Sequence, residues 1–348
     1  MTTKKLVLVI GATGVQGRPC VSALLSPHAD GTPSPYSVRA LTRDPTSQHA
    51  QTLASLGVEL FKGSFENLET IAAAFDGCYG VFVNTDTFSV GQQKEIYYAI
   101  KMFEHAHRVP QMRHFIWSGL DYGSKFGNFD PKYFTVHLDG KGAVNDYLKS
   151  QHSSRSGDSL TWSIITTGPY IENLGGALLG PLAERENGAV VFALPIGDGH
   201  APAISIEDIG WWVRYTFDHR SETSGQELKI ATEMLSMDKL VETFTRVTGI
   251  PAIRKRISVE EYLDTYPHLN RSIVRGEEGP SVRESFAGMF RVWGDNLLTR
   301  DMEWIRRVHP GGYTLESWIR EKGYDGTLAP DLRHFSFMIC GFPSKYRN

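Results

Sequence analysis

Residues 6–17 read Leu6-Val7-Leu8-Val9-Ile10-Gly11-Ala12-Thr13-Gly14-Val15-Gln16-Gly17, and this stretch decides the fold. Five apolar residues in a row suit a strand buried on both faces, as in a parallel sheet covered by helices. Glycines break the run, and residues 16–25 then carry apolar side chains at helical spacing. Strand, glycine turn and helix in that order form the phosphate-binding start of a βαβ unit. The first glycine permits the tight turn, the second lets backbone approach a pyrophosphate, and the third lets the helix pack closely on the strand. The helix start offers free N–H groups and a partial positive charge to an anion. A purely structural turn is the alternative.

The same alternation runs through the first half of the chain. Strand-like runs fall at 38–42, 58–62, 81–84, 114–118 and 160–166, with helical stretches at 47–56, 68–75, 95–107 and 135–150. Five βα repeats predict an α/β, doubly wound parallel-sheet Rossmann fold. Two segments, 26–36 and 153–159, read as surface loops. After about residue 168 the alternation fades, and helical stretches are expected at 208–217, 236–247, 259–266 and 282–298. The expectation is a nucleotide-binding domain at 1–168. A smaller, mixed, mostly helical substrate lobe follows at 169–348, interleaved with the last strands and folded over the carboxyl edge of the sheet, where open α/β folds bind ligands.

Composition narrows the function. Lys+Arg 36 against Asp+Glu 39 leaves a formal charge of −3 over 348 residues, which argues against a nucleic-acid or anionic-membrane binder. The apolar run at the start is too short for a signal peptide core or a membrane span. Cys20, Cys78 and Cys340 lie far apart and make neither a metal-ligand pair nor a disulfide framework. No metal is expected, and the expected location is cytoplasmic.

The end of the second strand selects the nucleotide. An acidic residue there would hold a ribose 2′-hydroxyl, but the segment reads Leu41-Thr42-Arg43-Asp44-Pro45. Arg43 can pair with a 2′-phosphate, which favours NADP(H); alternatively Asp44 takes the ribose and Arg43 faces solvent. Lys62 and Ser64 could border the adenine. Further on, His137, Lys141, Val144 and Leu148 share one helical face. A lysine in a core-facing stripe needs partners for its ammonium. Gly140 and Gly142 flank it at about 1 kcal/mol of helix propensity each, so something must pack closely there. Lys141 either reaches the nicotinamide ribose or snorkels from an apolar edge.

Five segments, GATGVQG (11–17), LTRDP (41–45), WSGLD (117–121), HLDGKGAVNDYL (137–148) and GPYIENL (168–174), come in an order and spacing that resembles the NmrA-like group of atypical short-chain dehydrogenase/reductases. That group is related to the isoflavone-reductase-like enzymes. The resemblance covers roughly residues 4–250 and does not extend to the tail at 331–348. It implies that Gly11 to Gln16 cradle the pyrophosphate and Arg43 the 2′-phosphate. It further implies Ser64 and Phe65 by the adenine, Thr85 by the ribose, Lys141 at the nicotinamide ribose, and Tyr170 to Asn173 over the nicotinamide. The family often has an acidic residue where Ser64 stands.

The wider superfamily pairs a Tyr with a Lys four residues later, and here that position is His137. Ser118 matches the superfamily's carbonyl-polarising Ser. In isoflavone-reductase-like relatives the Lys alone suffices for reduction. Two functions follow. One is an NADPH-dependent reductase, or a reductase-derived cyclase or isomerase, acting on an apolar aromatic small molecule such as a secondary metabolite. Lys141 would serve it with His137, histidine being the side chain whose ordinary titration range suits proton transfer, or with Tyr133. The other is a non-catalytic NADP(H)-sensing regulator that binds a protein partner, for which a nuclear location is open. Phe286, Met289, Phe290, Trp293, Trp304 and Trp318 enrich the C-terminal half in aromatic and sulfur side chains; a core, a substrate pocket or an interface could use them.

Overall fold

The computed structural model describes residues 4–153, 157–176, 179–274 and 276–328. Cys340 and the tail at 331–348 lie outside the described residues, as do positions 154–156 of the loop expected at 153–159. In chain order the elements are β1 (Lys5–Ile10), α1 (Gly17–Leu25), β2 (Tyr36–Thr42), α2 (Gln48–Ser55), β3 (Glu59–Lys62), α3 (Leu68–Phe75), β4 (Gly80–Val83), α4 (Thr87–Val90), α5 (Gln92–Ala106), β5 (His114–Gly119), α6 (Gly123–Phe126), α7 (Val136–Lys149) and β6 (Thr161–Thr166). Then come β7 (Val190–Phe192), β8 (Ala201–Ala203), α8 (Ile206–Asp218), α9 (Arg220–Thr223), β9 (Gln226–Lys229), β10 (Glu233–Leu235), α10 (Met237–Thr248), β11 (Ala252–Arg254), α11 (Val259–Asp264), α12 (Val282–Gly294), α13 (Met302–Val308) and α14 (Leu315–Lys322).

These elements fall into two compact units that share the chain alternately. The first comprises Met1–Tyr122, Asp139–Thr167 and Ile206–Lys229; the second comprises Gly123–Leu138, Gly168–Ser205 and Ile230–Asn348.

The first unit is a seven-stranded sheet in the order β3-β2-β1-β4-β5-β6-β9, with every neighbouring pair parallel. The order reverses at β1, so the crevice between β1 and β4 at the carboxyl ends is the switch point where doubly wound sheets bind ligands. The doubly wound Rossmann expectation is met. The apolar runs are central strands: Val7, Leu8, Val81, Phe82, Phe115 and Trp117 are wholly buried. Each such large side chain contributes about 1.5–3 kcal/mol. The seventh strand, β9, is an addition that pattern reading did not find. Its sequence, Gln-Glu-Leu-Lys, has no apolar run, and pairing with β6 makes it a strand. Helix α8 packs on α1 so closely that a Cβ on Gly210 would lie 2.6 Å from the Pro19 carbonyl oxygen.

The second unit holds two short two-stranded sheets, β8 antiparallel to β10 and β7 parallel to β11. Most of its remaining elements are helices. Ser258 and Ser281 close capping boxes with Glu261 and Glu284 at the starts of α11 and α12. Helix α12 stops at Gly294, short of the expected 298, because Asn296 turns left-handed at φ 54°. Phe286, Met289, Phe290, Trp293 and Trp318 are buried and Trp304 is half-buried. Five of the six are thus packed away from solvent, and Trp304 is the one that is partly accessible. Among the described residues no helix is long and apolar enough to cross a membrane.

Candidate functional site

The glycine turn leads from the central strand β1 into α1. Gly11 has φ +81°, and a Cβ there would lie 2.7 Å from the Asn84 carbonyl oxygen, so only glycine fits. The Gly14 N–H donates to the Gly11 carbonyl at 3.0 Å and closes the turn. A Cβ on Gly17 would collide with the same carbonyl. Helix α1 has no side-chain cap and no acidic residue in its first turn. An uncapped, acid-free helix start below a turn with glycine at 11, 14 and 17 fits a pyrophosphate. Ala12, Val15 and Gln16 are buried and Thr13 is half-buried. Gln16 caps nothing because its amide is used elsewhere.

At the neighbouring strand ends, the Gly63 N–H donates to the Thr42 carbonyl at 2.9 Å. This sets the segments carrying Arg43 and Ser64 side by side. Arg43 is exposed. Asp44 is committed locally: its Oδ1 accepts from Thr46 N–H at 2.9 Å and from Thr46 Oγ1 at 2.6 Å. Those bonds hold its carboxyl below the usual carboxylate range. Arg43 and Asp44 are both exposed, and the hydrogen bonds from Thr46 fall on one oxygen of the Asp44 carboxylate. Phe65 and Tyr98 meet edge to face at 6.2 Å beyond Ser64.

Lys141 is buried, and so is the whole stripe His137, Lys141, Val144 and Leu148. It does not snorkel. Its ammonium donates to Thr85 Oγ1 at 3.2 Å and to the Ser118 carbonyl at 3.3 Å, and pairs with Glu95 Oε1 at 3.2 Å. These are three acceptors for three donors. The charge also lies 4.7 Å from the Trp117 ring centroid. The flanking glycines have the reason their cost required. A Cβ on Gly142 would lie 2.5 Å from Tyr122 Cα, and one on Gly140 would lie 2.9 Å from Glu95 Oε2.

The Ser118 hydroxyl exchanges hydrogen bonds with the Gln16 amide, at 2.8 Å from Nε2 and 3.2 Å to Oε1. Gln16, Ser118, Lys141 and Thr85 thus form one buried polar chain from the glycine turn across the ends of β1, β4 and β5. Sequence reasoning missed two members, Glu95 and Thr87. The signal was present: Glu95 lies on the same helical stripe as the buried Ala99, Met102, Phe103 and Ala106. A carboxylate in register with core positions marks a buried charge as surely as Lys141 does.

The other candidates lie in the second unit. His137 Nδ1 is 3.1 Å from Ser285 Oγ and 3.4 Å from Thr135 Oγ1. Tyr133 donates its hydroxyl to Asp295 Oδ2 at 2.6 Å. Tyr170 and Asn173 begin and close a tight turn, with Asn173 N–H donating to the Tyr170 carbonyl at 3.0 Å. Tyr170 bridges to Ile204 and lines a small apolar recess with Leu194, Leu235 and Trp293.

With this geometry in view, comparison with known proteins gives a consistent result. The NmrA-like family model matches residues 3–310. The NmrA-like family domain-containing oxidoreductase malD of Malbranchea aurantiaca is 30% identical over 313 residues, 85% of this chain and 84% of that protein. Among solved structures, NmrA, a negative transcriptional regulator in complex with NADP, aligns with TM-score 0.68 at 20% identity over 92% of this chain and 95% of that one. AtPrR2 with NADP+ and (+)pinoresinol aligns with TM-score 0.66 at 16% identity, covering 92% and 99%. At those identities the two structures speak for the fold.

Proposed function

The chain belongs to the NmrA-like family, and from that membership we propose that it is an NADP(H)-dependent reductase-type enzyme, or a cyclase or isomerase derived from one, acting on an apolar aromatic small molecule such as a secondary metabolite. The observation that carries this reading is the buried Lys141 ammonium, held at the carboxyl ends of the central strands on the carbonyl of Ser118, the residue whose hydroxyl bonds Gln16 of the glycine turn. The oxidoreductase name of the malD relative and the pair of small molecules held by AtPrR2 support it.

NADP(H), when bound, supplies or accepts the hydride. The backbone of Gly11 to Gly17 would hold the pyrophosphate, Arg43 the 2′-phosphate, Ser64 and Phe65 the adenine edge, and Thr85 and Lys141 the nicotinamide ribose. Tyr170 and Asn173 are assigned by family resemblance alone. Lys141 would orient the ribose and stabilise negative charge that develops on a substrate oxygen, a role worth about 10²–10³ in rate for one well-placed donor. Ser118 would keep the Lys141 and Gln16 segments in register.

The test is a panel of aromatic ketones, enones, imines and quinones, followed through the disappearance of NADPH absorbance. Lys141→Arg keeps a cation beside Glu95 but changes its shape. It should cut turnover at least about a hundredfold, and undiminished turnover would remove Lys141 from the mechanism. One observation favours the regulator reading: the residue in the superfamily's Tyr position, His137, is bonded to Ser285. NADPH binding with no turnover across the panel, together with partner binding that depends on the cofactor's redox form, would decide for it.

A further inference from the structure

Glu95 is wholly inaccessible to solvent, and nothing in the proposed chemistry requires a carboxylate there. An ionised carboxylate in such a place is tolerated only when paired and fully hydrogen-bonded. Both of its oxygens are engaged. Oε1 accepts from Thr85 Oγ1 at 2.6 Å and faces Lys141 Nζ at 3.2 Å, while Oε2 accepts from Thr87 Oγ1 at 2.5 Å. Glycine at 140 gives Oε2 room, since a Cβ there would lie 2.9 Å from it. Thr85 and Thr87 come from the segment after β4, Glu95 from the first turn of α5, and Lys141 from α7. Three separate stretches of the first unit thus converge on one ion pair.

We propose that Glu95 is a positioning residue that holds Lys141 in place and cancels its charge, so that the site presents a net-neutral donor to the nicotinamide and accepts its oxidised and reduced forms with comparable affinity. This rests on the placement of Lys141 at the nicotinamide ribose proposed above. The oxidised ring carries a positive charge that the reduced ring lacks. An unbalanced charge in a site of low effective dielectric therefore acts on one form and not the other. Glu95→Gln leaves Lys141 unbalanced and disfavours NADP+ relative to NADPH. Lys141→Met leaves Glu95 unbalanced and shifts the ratio the other way. A residue that merely supports the fold would weaken both forms equally.

The experiment is calorimetric titration of NADP+ and NADPH into the full chain, wild type, Glu95→Gln, Lys141→Met and the double variant, with a thermal melt of each without nucleotide. The ratio of the NADP+ to the NADPH dissociation constant should rise on the order of tenfold in Glu95→Gln. It should fall in Lys141→Met and return near the wild-type value in the double variant. The double variant should also melt above Glu95→Gln, because it removes the lone buried charge. If Glu95→Gln alone fails to fold, a folded double variant with the wild-type ratio supports the proposal, and a double variant that also fails to fold overturns it. If Lys141→Met shifts the ratio and Glu95→Gln does not, the proposal for Glu95 fails while the reading of Lys141 survives. If neither variant shifts it, Lys141 is not at the nicotinamide, and both readings fall.

Discussion

Replacing Arg43 by alanine tests which nucleotide this protein prefers. Arg43 stands exposed at the carboxyl end of β2, and its neighbour Asp44 is occupied by two hydrogen bonds from Thr46. A hydrogen bond to a charged group contributes about 1.5–3 kcal/mol, which corresponds to about 10–150-fold in affinity. Exposure and salt screening place Arg43 at the lower end of that range. Arg43→Ala should therefore weaken NADPH by about tenfold and leave NADH nearly unchanged, since NADH has no 2′-phosphate to lose. The NADPH loss should shrink as salt rises, because screening already weakens the contact in the wild type. Quenching of tryptophan fluorescence on titration with each nucleotide, at low and at high salt, measures all four numbers. Equal losses for NADPH and NADH would refute the assignment of Arg43 to the 2′-phosphate. A larger loss of NADH affinity in Asp44→Ala than in Arg43→Ala would hand the ribose to Asp44.

Three further outcomes follow from the packing of the first unit. Gly142→Ala gains about 1 kcal/mol of helix propensity but sets a Cβ 2.5 Å from the Tyr122 backbone. Overpacking at a backbone atom costs about 1–3 kcal/mol or more, so the denaturant midpoint should drop, and an unchanged or higher midpoint would contradict the close approach. Gln16→Ala strips the buried Ser118 hydroxyl of its partner and should cost about 1–3 kcal/mol; Ser118→Ala added to it should cost little more, and fully additive losses would mean the two residues do not interact. His114 is wholly buried between Thr161 and Ser163, and burial lowers its imidazole from the usual 6.5 to about 3. The unfolded chain therefore takes up a proton between about pH 6.5 and 3 that the folded chain refuses, so stability falls as pH falls through that window, by up to about 1.4 kcal/mol per unit. His114→Asn should flatten that part of the stability profile, and an unchanged slope would acquit His114 of the acid sensitivity.

The fold was readable because its signals are local. A strand buried on both faces must be continuously apolar, a helix against a sheet must repeat its apolar residues every three or four positions, and the turn between them must have glycine where backbone comes close. Residues 6–25 satisfy all three demands within one βα unit. The stripe through Lys141 was readable for the same reason, as was the close neighbour implied by Gly140 and Gly142. Elements without such signals went unseen. The strand β9 has one buried apolar side chain and exists through its partner β6. The helix α12 ends where Asn296 adopts a left-handed backbone, a choice that periodicity does not record.

Within the site the division is sharper. By itself the sequence determined that a glycine turn leads a parallel sheet, that an arginine ends the second strand, and that a lysine lies on a buried helical face. It did not determine what the lysine touches. Glu95, Thr85 and Ser118 lie on other elements, and they reach Lys141 only because β4 and β5 are neighbours in the sheet and their crossover helices return across it. Tertiary structure likewise decided that the His137 imidazole bonds Ser285 and that Gln16 bonds Ser118 instead of capping its own helix. Periodicity states which face of an element is buried. The partner of a buried charge depends on the path of the chain between elements, and no local pattern encodes that path.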